Sequence, residues 1–372
     1  MSERERAKRF FEQLTRHHPS PSTHVLYQRV CDFLTTMVQD DVCLAKKSHG
    51  NRFRDLLCDF SMAYVPVPLR EDMARHGELV NGMRQLGEGS NGRIFQSGAF
   101  QGNPIVTKTK KKVTEHTIYE IYINFVVLNE MIIKQQFEKN LIPTYGLFLC
   151  PTNDDGTQIC VPMNKQEHLF LVQHQIEGKT LARHLHAGMS LPRYKEIVKQ
   201  LMRVLIGFES SEHQLYHTDL HCSNIILSEP DLQPVLLDFE LASFRIQENG
   251  KSHRFRLNSL EHKYTLHEHV LSGAHDLALL FSNTTAYRNP DIQAYCLDMV
   301  QRIYSHYWTD INKPFVITQS WINAEKEHRW IYHALKEAED KLPEEQRKKV
   351  HEHNITTMHK MTYKWLEKEL NL

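Results

Sequence analysis

The 372 residues are 41% hydrophobic, enough to bury a sizeable core in one large domain or two of medium size. Lys plus Arg and Asp plus Glu both number 45, so the bulk charge draws the chain to neither nucleic acid nor an anionic membrane. No window approaches the ~18 apolar residues of a membrane span, and the seven cysteines are odd in number and scattered, with no C-x-x-C pair, which speaks against a disulfide framework or a structural zinc site.

In chain order, Met1-Ser-Glu-Arg-Glu-Arg-Ala-Lys-Arg alternates charges where a secretory signal needs an apolar stretch, so the expectation is a soluble, intracellular protein of cytoplasm or nucleus. Residues 1–80 read as a helical extension, with Phe10, Phe11, Leu14, Val30, Phe33 and Leu34 at three-and-four spacing, until Pro66 and Pro68 interrupt it. From Met83 to Lys110 the pattern becomes short β-prone runs between glycines. Residues 116–138 return to helical periodicity, with Ile118, Ile121, Tyr122, Phe125, Val126 and Leu128 apolar. Strand-like runs follow at Tyr145-Gly-Leu-Phe-Leu and Leu169-Phe-Leu-Val. Beyond Gly178 the chain reads as mainly helical, interrupted by Ile225-Ile-Leu and Val235-Leu-Leu. The 24 histidines, including the pair at His351 and His353, lack the further ligands at helical or knuckle spacing that a zinc site needs.

Three segments carry chemistry. Leu86-Gly87-Glu88-Gly89-Ser90-Asn91-Gly92-Arg93-Ile94 holds a G-x-G-x-x-G pattern, in which missing side chains let backbone N–H groups approach phosphates. A hairpin turn needing positive φ is the plainer reading, and a Rossmann site is disfavoured because a strand, not a long helix, follows Gly92. Lys108 ends an apolar run that would point its ammonium under this loop, with Lys110 as the competing residue.

The third segment is Leu215-Tyr-His-Thr-Asp-Leu-His-Cys-Ser-Asn-Ile-Ile-Leu, followed by Val235-Leu-Leu-Asp-Phe-Glu. Asp219 and Asn224 can form a compact loop, one facing a hydroxyl and the other a metal. Asp238 at the end of a buried strand completes an oxygen-ligand set of the kind Mg²⁺ prefers.

Taken together, residues 83–285 resemble the catalytic domain of the protein-kinase superfamily. The resemblance implies an α+β, two-lobed fold: a helical extension over 1–80, a catalytic domain over 81–290 with a small lobe at about 81–175 and a large lobe from 179, and a helical part over 291–372 packed on or continuing the large lobe. It further implies ATP and Mg²⁺ as cofactors and a protein substrate. Leu86 to Ile94 would cover the phosphates, Lys108 would contact them, and Gln173 would limit the depth of the adenine pocket. Asp219 would accept or orient the substrate hydroxyl, and Asn224 and Asp238 would hold the metal. Glu120 is the preferred partner of Lys108, with Glu130 as the alternative. Asp276 resembles the buried aspartate of the large lobe's central helix.

The pattern also departs from the family. Glu240 stands where glycine usually follows Asp-Phe, Thr218 where arginine is typical, and His221 where serine/threonine kinases carry lysine. The forms His-x-Asp-Leu-His-x-x-Asn and Asp-Phe-Glu are similar to small-molecule phosphotransferases such as choline and aminoglycoside kinases. The intact glycine pattern is closer to that of protein kinases, and Tyr119-Glu-Ile-Tyr-Ile, Val127-Leu-Asn-Glu and Asn140-Leu-Ile-Pro-Thr-Tyr-Gly-Leu-Phe-Leu-Cys resemble divergent serine/threonine kinase-like proteins of large DNA viruses. An inactive scaffold is a further alternative, although neither the lysine nor either aspartate is missing.

Overall fold

Alternation of side chains along the strands decides what Lys108 faces. The computed structural model describes residues 84–88, 92–100, 103–110, 120, 123–129, 131–132, 137, 139–150, 168–248, 251–255, 272–316 and 331–372. The expected extension over 1–80, the loop tip Gly89–Asn91 and Glu130 lie outside the described residues. The chain divides into two compact units between Ile176 and Glu177.

The first unit is built on a five-stranded sheet of β1 (Gln85–Glu88), β2 (Gly92–Phe100), β3 (Asn103–Lys110), β4 (Thr144–Cys150) and β5 (His168–His174). The order is β1-β2-β3-β5-β4, with every neighbouring pair antiparallel. In the centre, Lys108 lies between Ile94 and Leu171, while Ile105 and Thr107 alternate to the opposite face and are buried. Leu171 is itself buried, so the stem of Lys108 shares an apolar face.

The expected helix is present as a segment that is π-helical over Ile123–Leu128. Its described buried residues are Glu120, Ile123, Asn124, Val127, Leu128, Asn129, Met131 and Ile132; of the stripe read from the sequence, Leu128 is among them, and the side chains of Ile118, Ile121, Tyr122, Phe125 and Val126 lie outside the described residues. Asn129 fixes it to β4 with two bonds: Thr144 N donates to its Oδ1 at 3.0 Å, and its Nδ2 donates to Thr144 O at 2.9 Å.

The second unit opens with β6 (Gly178–Thr180), which pairs with β7 (Ile225–Ser228), itself paired with β8 (Gln233–Leu236). Gly178 has φ +154° and a Cβ there would lie 2.2 Å from Leu227 O, so this close strand approach requires glycine. Two helices follow, α1 (Leu181–His186) and α2 (Leu191–Ser210). The second buries Tyr194, Ile197, Val198, Leu201, Leu205 and Phe208 along one face, starting with Pro192 in its first turn.

Helix α3 (Gly273–Thr284) is buried on nearly all sides, as an apolar central helix should be. Against it pack α4 (Pro290–Tyr304), capped by Asn289, and α7 (Tyr363–Leu370), while α5 (Ile331–Asp340) and α6 (Glu344–Lys360) between them in sequence pack on each other. The stretch expected to be mainly helical also holds two hairpins: β9 (Phe244–Glu248) with β10 (Lys251–Phe255), and β11 (Trp308–Asp310) with β12 (Lys313–Pro314). Helices and sheets thus make an α+β chain. Among the described residues no helix is long and apolar enough to cross a membrane.

Candidate functional site

In the first unit, β1 and β2 form the two arms of the glycine-rich hairpin, with Gly87 opposite Ile94 and Glu88 opposite Arg93. Leu86 is exposed, a Cβ at Gly87 would meet nothing within 4 Å, and Arg93 Nε lies 3.1 Å from Glu88 Oε1 in an exposed ion pair. Such a pair contributes about 0.2–1 kcal/mol at most.

Lys108 is of another kind. Its Nζ lies 2.5 Å from Glu120 Oε1, with side-chain exposures of 17% and 1%. A carboxylate so far from water requires a cation beside it, and the strand register delivers that cation from β3. Helix and sheet are joined further by Gln173, whose Nε2 donates to Thr144 Oγ1 at 3.1 Å and to Asn124 Oδ1 at 3.4 Å. Gln173 thus stands in β5 with its amide engaged by buried polar neighbours, three residues before the division between the units.

In the second unit, the segment His217 to Asn224 is held from three directions. The His217 ring is buried. Its Nε2 lies 2.7 Å from Leu237 O and its Nδ1 accepts from Asp219 N at 3.3 Å. Since a carbonyl can only accept, the proton belongs on Nε2. Asn224 Nδ2 donates to Asp219 O at 3.0 Å and Oδ2 at 3.3 Å, which turns its amide oxygen away from Asp219. Asn224 O in turn accepts from Leu237 N at 2.9 Å. Leu237 is therefore clamped between His217 and Asn224, which sets Asp238, the next residue, beside this loop.

The departures from the family pattern have structural accounts. Thr218 takes φ 60°, a conformation costly for a β-branched residue. It is held by its hydroxyl, which donates to Leu241 O, and by its carbonyl, which His275 Nε2 meets at 2.9 Å. His221 Nδ1 accepts from Ser223 N at 3.2 Å and so caps the short 3₁₀ turn Cys222–Asn224, while its Nε2 is 3.8 Å from Asp219 Oδ2. Burial lowers the His221 pKa below its usual value, a shift that Asp219 opposes, His217 reinforces and Asp238 opposes. Glu240 lies in the 3₁₀ turn Phe239–Leu241 and is not among the residues of positive φ; the left-handed residue is Asp238, at φ 57°. The glycine freedom that Glu240 lacks is therefore not used at that position.

His275 and Tyr363 belong to this surrounding structure and went unread in the sequence, because their partners lie 57 and 87 residues away.

No profile of a known protein family matches the chain. Over 176 residues it is 27% identical to a protein of Arabidopsis thaliana named as a proline-rich receptor-like protein kinase, the match covering 45% of this chain and 21% of that protein. The chain thus spans about a fifth of the relative's length. It is distantly similar to protein kinases, while the likeness to viral kinase-like proteins rests on the sequence alone.

Proposed function

We propose that the chain is an ATP-dependent phosphotransferase with a two-lobed protein-kinase-like domain over residues 81–290, transferring the γ-phosphoryl group of Mg-ATP to a serine or threonine hydroxyl of a protein. The observation that carries this reading is the Lys108–Glu120 pair, because a buried carboxylate fixing a strand lysine behind a glycine hairpin is costly unless the lysine has a task. The distant similarity to a protein kinase points the same way.

On this reading the hairpin from Leu86 to Ile94 covers the phosphates and Lys108 neutralises them. Asp219 orients the acceptor hydroxyl and takes its proton as the bond from phosphorus to the ADP oxygen breaks and a bond to the acceptor oxygen forms. Asn224 and Asp238 suit Mg²⁺, since they offer an amide oxygen and a carboxylate, both hard donors, and the Asn224 amide is oriented through its nitrogen. Bound there, the ion would neutralise charge on the phosphate oxygens. Little covalent help is needed, so positioning and electrostatics do the catalysis.

A second reading is favoured by Thr218. Its hydroxyl is satisfied by Leu241 O, and no arginine stands there to dock a phosphorylated segment. That fits a small-molecule kinase of the choline or aminoglycoside type. One assay separates the two readings: the purified protein is given Mg-ATP labelled at the γ-phosphate, with generic protein acceptors and a choline and aminoglycoside mixture. Label in protein supports the first reading and label in a small molecule the second; transfer to no acceptor overturns both and leaves an inactive scaffold.

A further inference from the structure

We infer that Tyr363, on the C-terminal helix α7, is a positioning residue for the loop carrying Asp219, acting through Asp276. The inference rests on the phosphotransferase reading for its activity readout, though not for its structural one.

Asp276 sits fully buried in α3. Its Oδ2 accepts two hydrogen bonds, one from His217 N at 3.0 Å and one from the Tyr363 hydroxyl. Among the described residues its Oδ1 has no hydrogen-bond partner, so these two donors fix how the carboxyl group is oriented. His217 continues the path, since its ring accepts the backbone N–H of Asp219. Between them stands the strained Thr218, a conformation that persists only where its surroundings over-determine it. The Tyr363 hydroxyl is thus joined to Asp219 by three successive hydrogen bonds, through Asp276 and His217.

A second path reinforces the first. Glu209 Oε1, at the end of α2, accepts from Tyr363 N at 3.2 Å and from the Tyr216 hydroxyl at 2.9 Å, and the Tyr216 and Tyr363 rings are 5.5 Å apart. Tyr216 immediately precedes His217. The approach is also built in from the side of α3, where a Cβ on Gly273 would lie 2.7 Å from Tyr363 Cδ1. Burial, and next the charge of Asp276, hold the Tyr363 phenol well above its usual pKa, so its O–H remains a donor at any assay pH. Phenylalanine would fill the same volume and remove the hydroxyl that bonds to Asp276.

The test uses the full chain with Tyr363→Phe. The measurements are kcat and KM for phosphate transfer, amide hydrogen exchange over residues 216–224, and Tm. Loss of a hydrogen bond to a charged acceptor should lower kcat about tenfold or more, leave KM for ATP within about twofold, and speed exchange at His217 and Asp219. Leu370→Ala, at the far end of the same helix, should lower Tm without altering kcat or exchange in the loop. Wild-type kcat and exchange in Tyr363→Phe would overturn the inference, as would an equal kcat loss in Leu370→Ala. If the wild type transfers no phosphate, the phosphotransferase reading fails, and exchange in the loop still decides the coupling.

Discussion

Lys108 and Glu120 show how one residue's chemistry is set by the other's burial. At 1% exposure the Glu120 side chain has little water to fall back on, so removing the Lys108 ammonium takes a cation from 2.5 Å beside a buried carboxylate. Lys108→Met should therefore cost about 3–5 kcal/mol in chemical denaturation, and Lys108→Met combined with Glu120→Leu should recover much of it. A single variant as stable as the wild type would mean the pair is not held as described. Activity separates the competing lysines: Lys108→Met should be inactive and Lys110→Met active, and the reverse result moves the role to Lys110. Asp219→Asn belongs to the same scale. It keeps the side-chain shape and an oxygen for Asn224 Nδ2 but removes the proton acceptor. It should abolish transfer and leave ATP binding nearly intact, as nucleotide titration would report; retained turnover would remove Asp219 from its assigned role.

Among the elements, α3 joins the loop to α7, because His275 and Asp276 bond to the loop while Asp276 and Gly273 meet Tyr363. Gly273 marks where this packing has no slack. A methyl group there would press on Tyr363 Cδ1 at 2.7 Å and on its backbone nitrogen at 2.9 Å, and backbone cannot move aside cheaply. Gly273→Ala should cost about 1–3 kcal/mol through overpacking, although alanine favours helix over glycine. An unchanged or raised Tm would show that α7 can shift. Helix α1 supplies a pH dependence. Burial, and after it the charge of Lys179, lowers the pKa of His184 from 6.5, so folding favours the neutral ring. The folded state then binds fewer protons than the unfolded one. The contribution is fully present above pH 6.5 and is lost as pH falls through the folded value. His221, lowered by burial as well, adds in the same direction. Tm should therefore fall between pH 7 and 5, and His184→Gln should make that fall shallower; an identical profile would show that the ring gains no penalty from its surroundings.

For the whole molecule, what the sequence disclosed followed the range of the interactions. That Asp219, Asn224 and Asp238 lie close together was readable because loop and strand are local and set polar residues against apolar neighbours. The polar contacts of the helix around Glu120 were not, because Glu120, Asn124 and Asn129 are buried polar residues invisible to a hydrophobic pattern, and Asn124 lies in a π-helical segment, whose phase differs from that of an α-helix. The hairpin β9–β10 includes Lys251-Ser-His-Arg, too polar to announce a strand. Within the stretch read as helical over 291–372, α7 buries Tyr363, Leu366 and Leu370 in the second unit. That burial makes the end of the chain structural. Each of these side chains contributes about 1.5–3 kcal/mol, and together they approach the whole margin of about 5–15 kcal/mol by which a domain is stable. Removing α7 would also strip Glu209 and Asp276 of the Tyr363 donors. A chain ending at Met361 should therefore lose its cooperative thermal transition and its near-ultraviolet circular dichroism, whereas Tyr363→Phe keeps both. A truncated chain melting cooperatively within about 3 °C of the full one would show that the second unit closes its core without α7, and that the path from Tyr363 to Asp219 is dispensable to the fold.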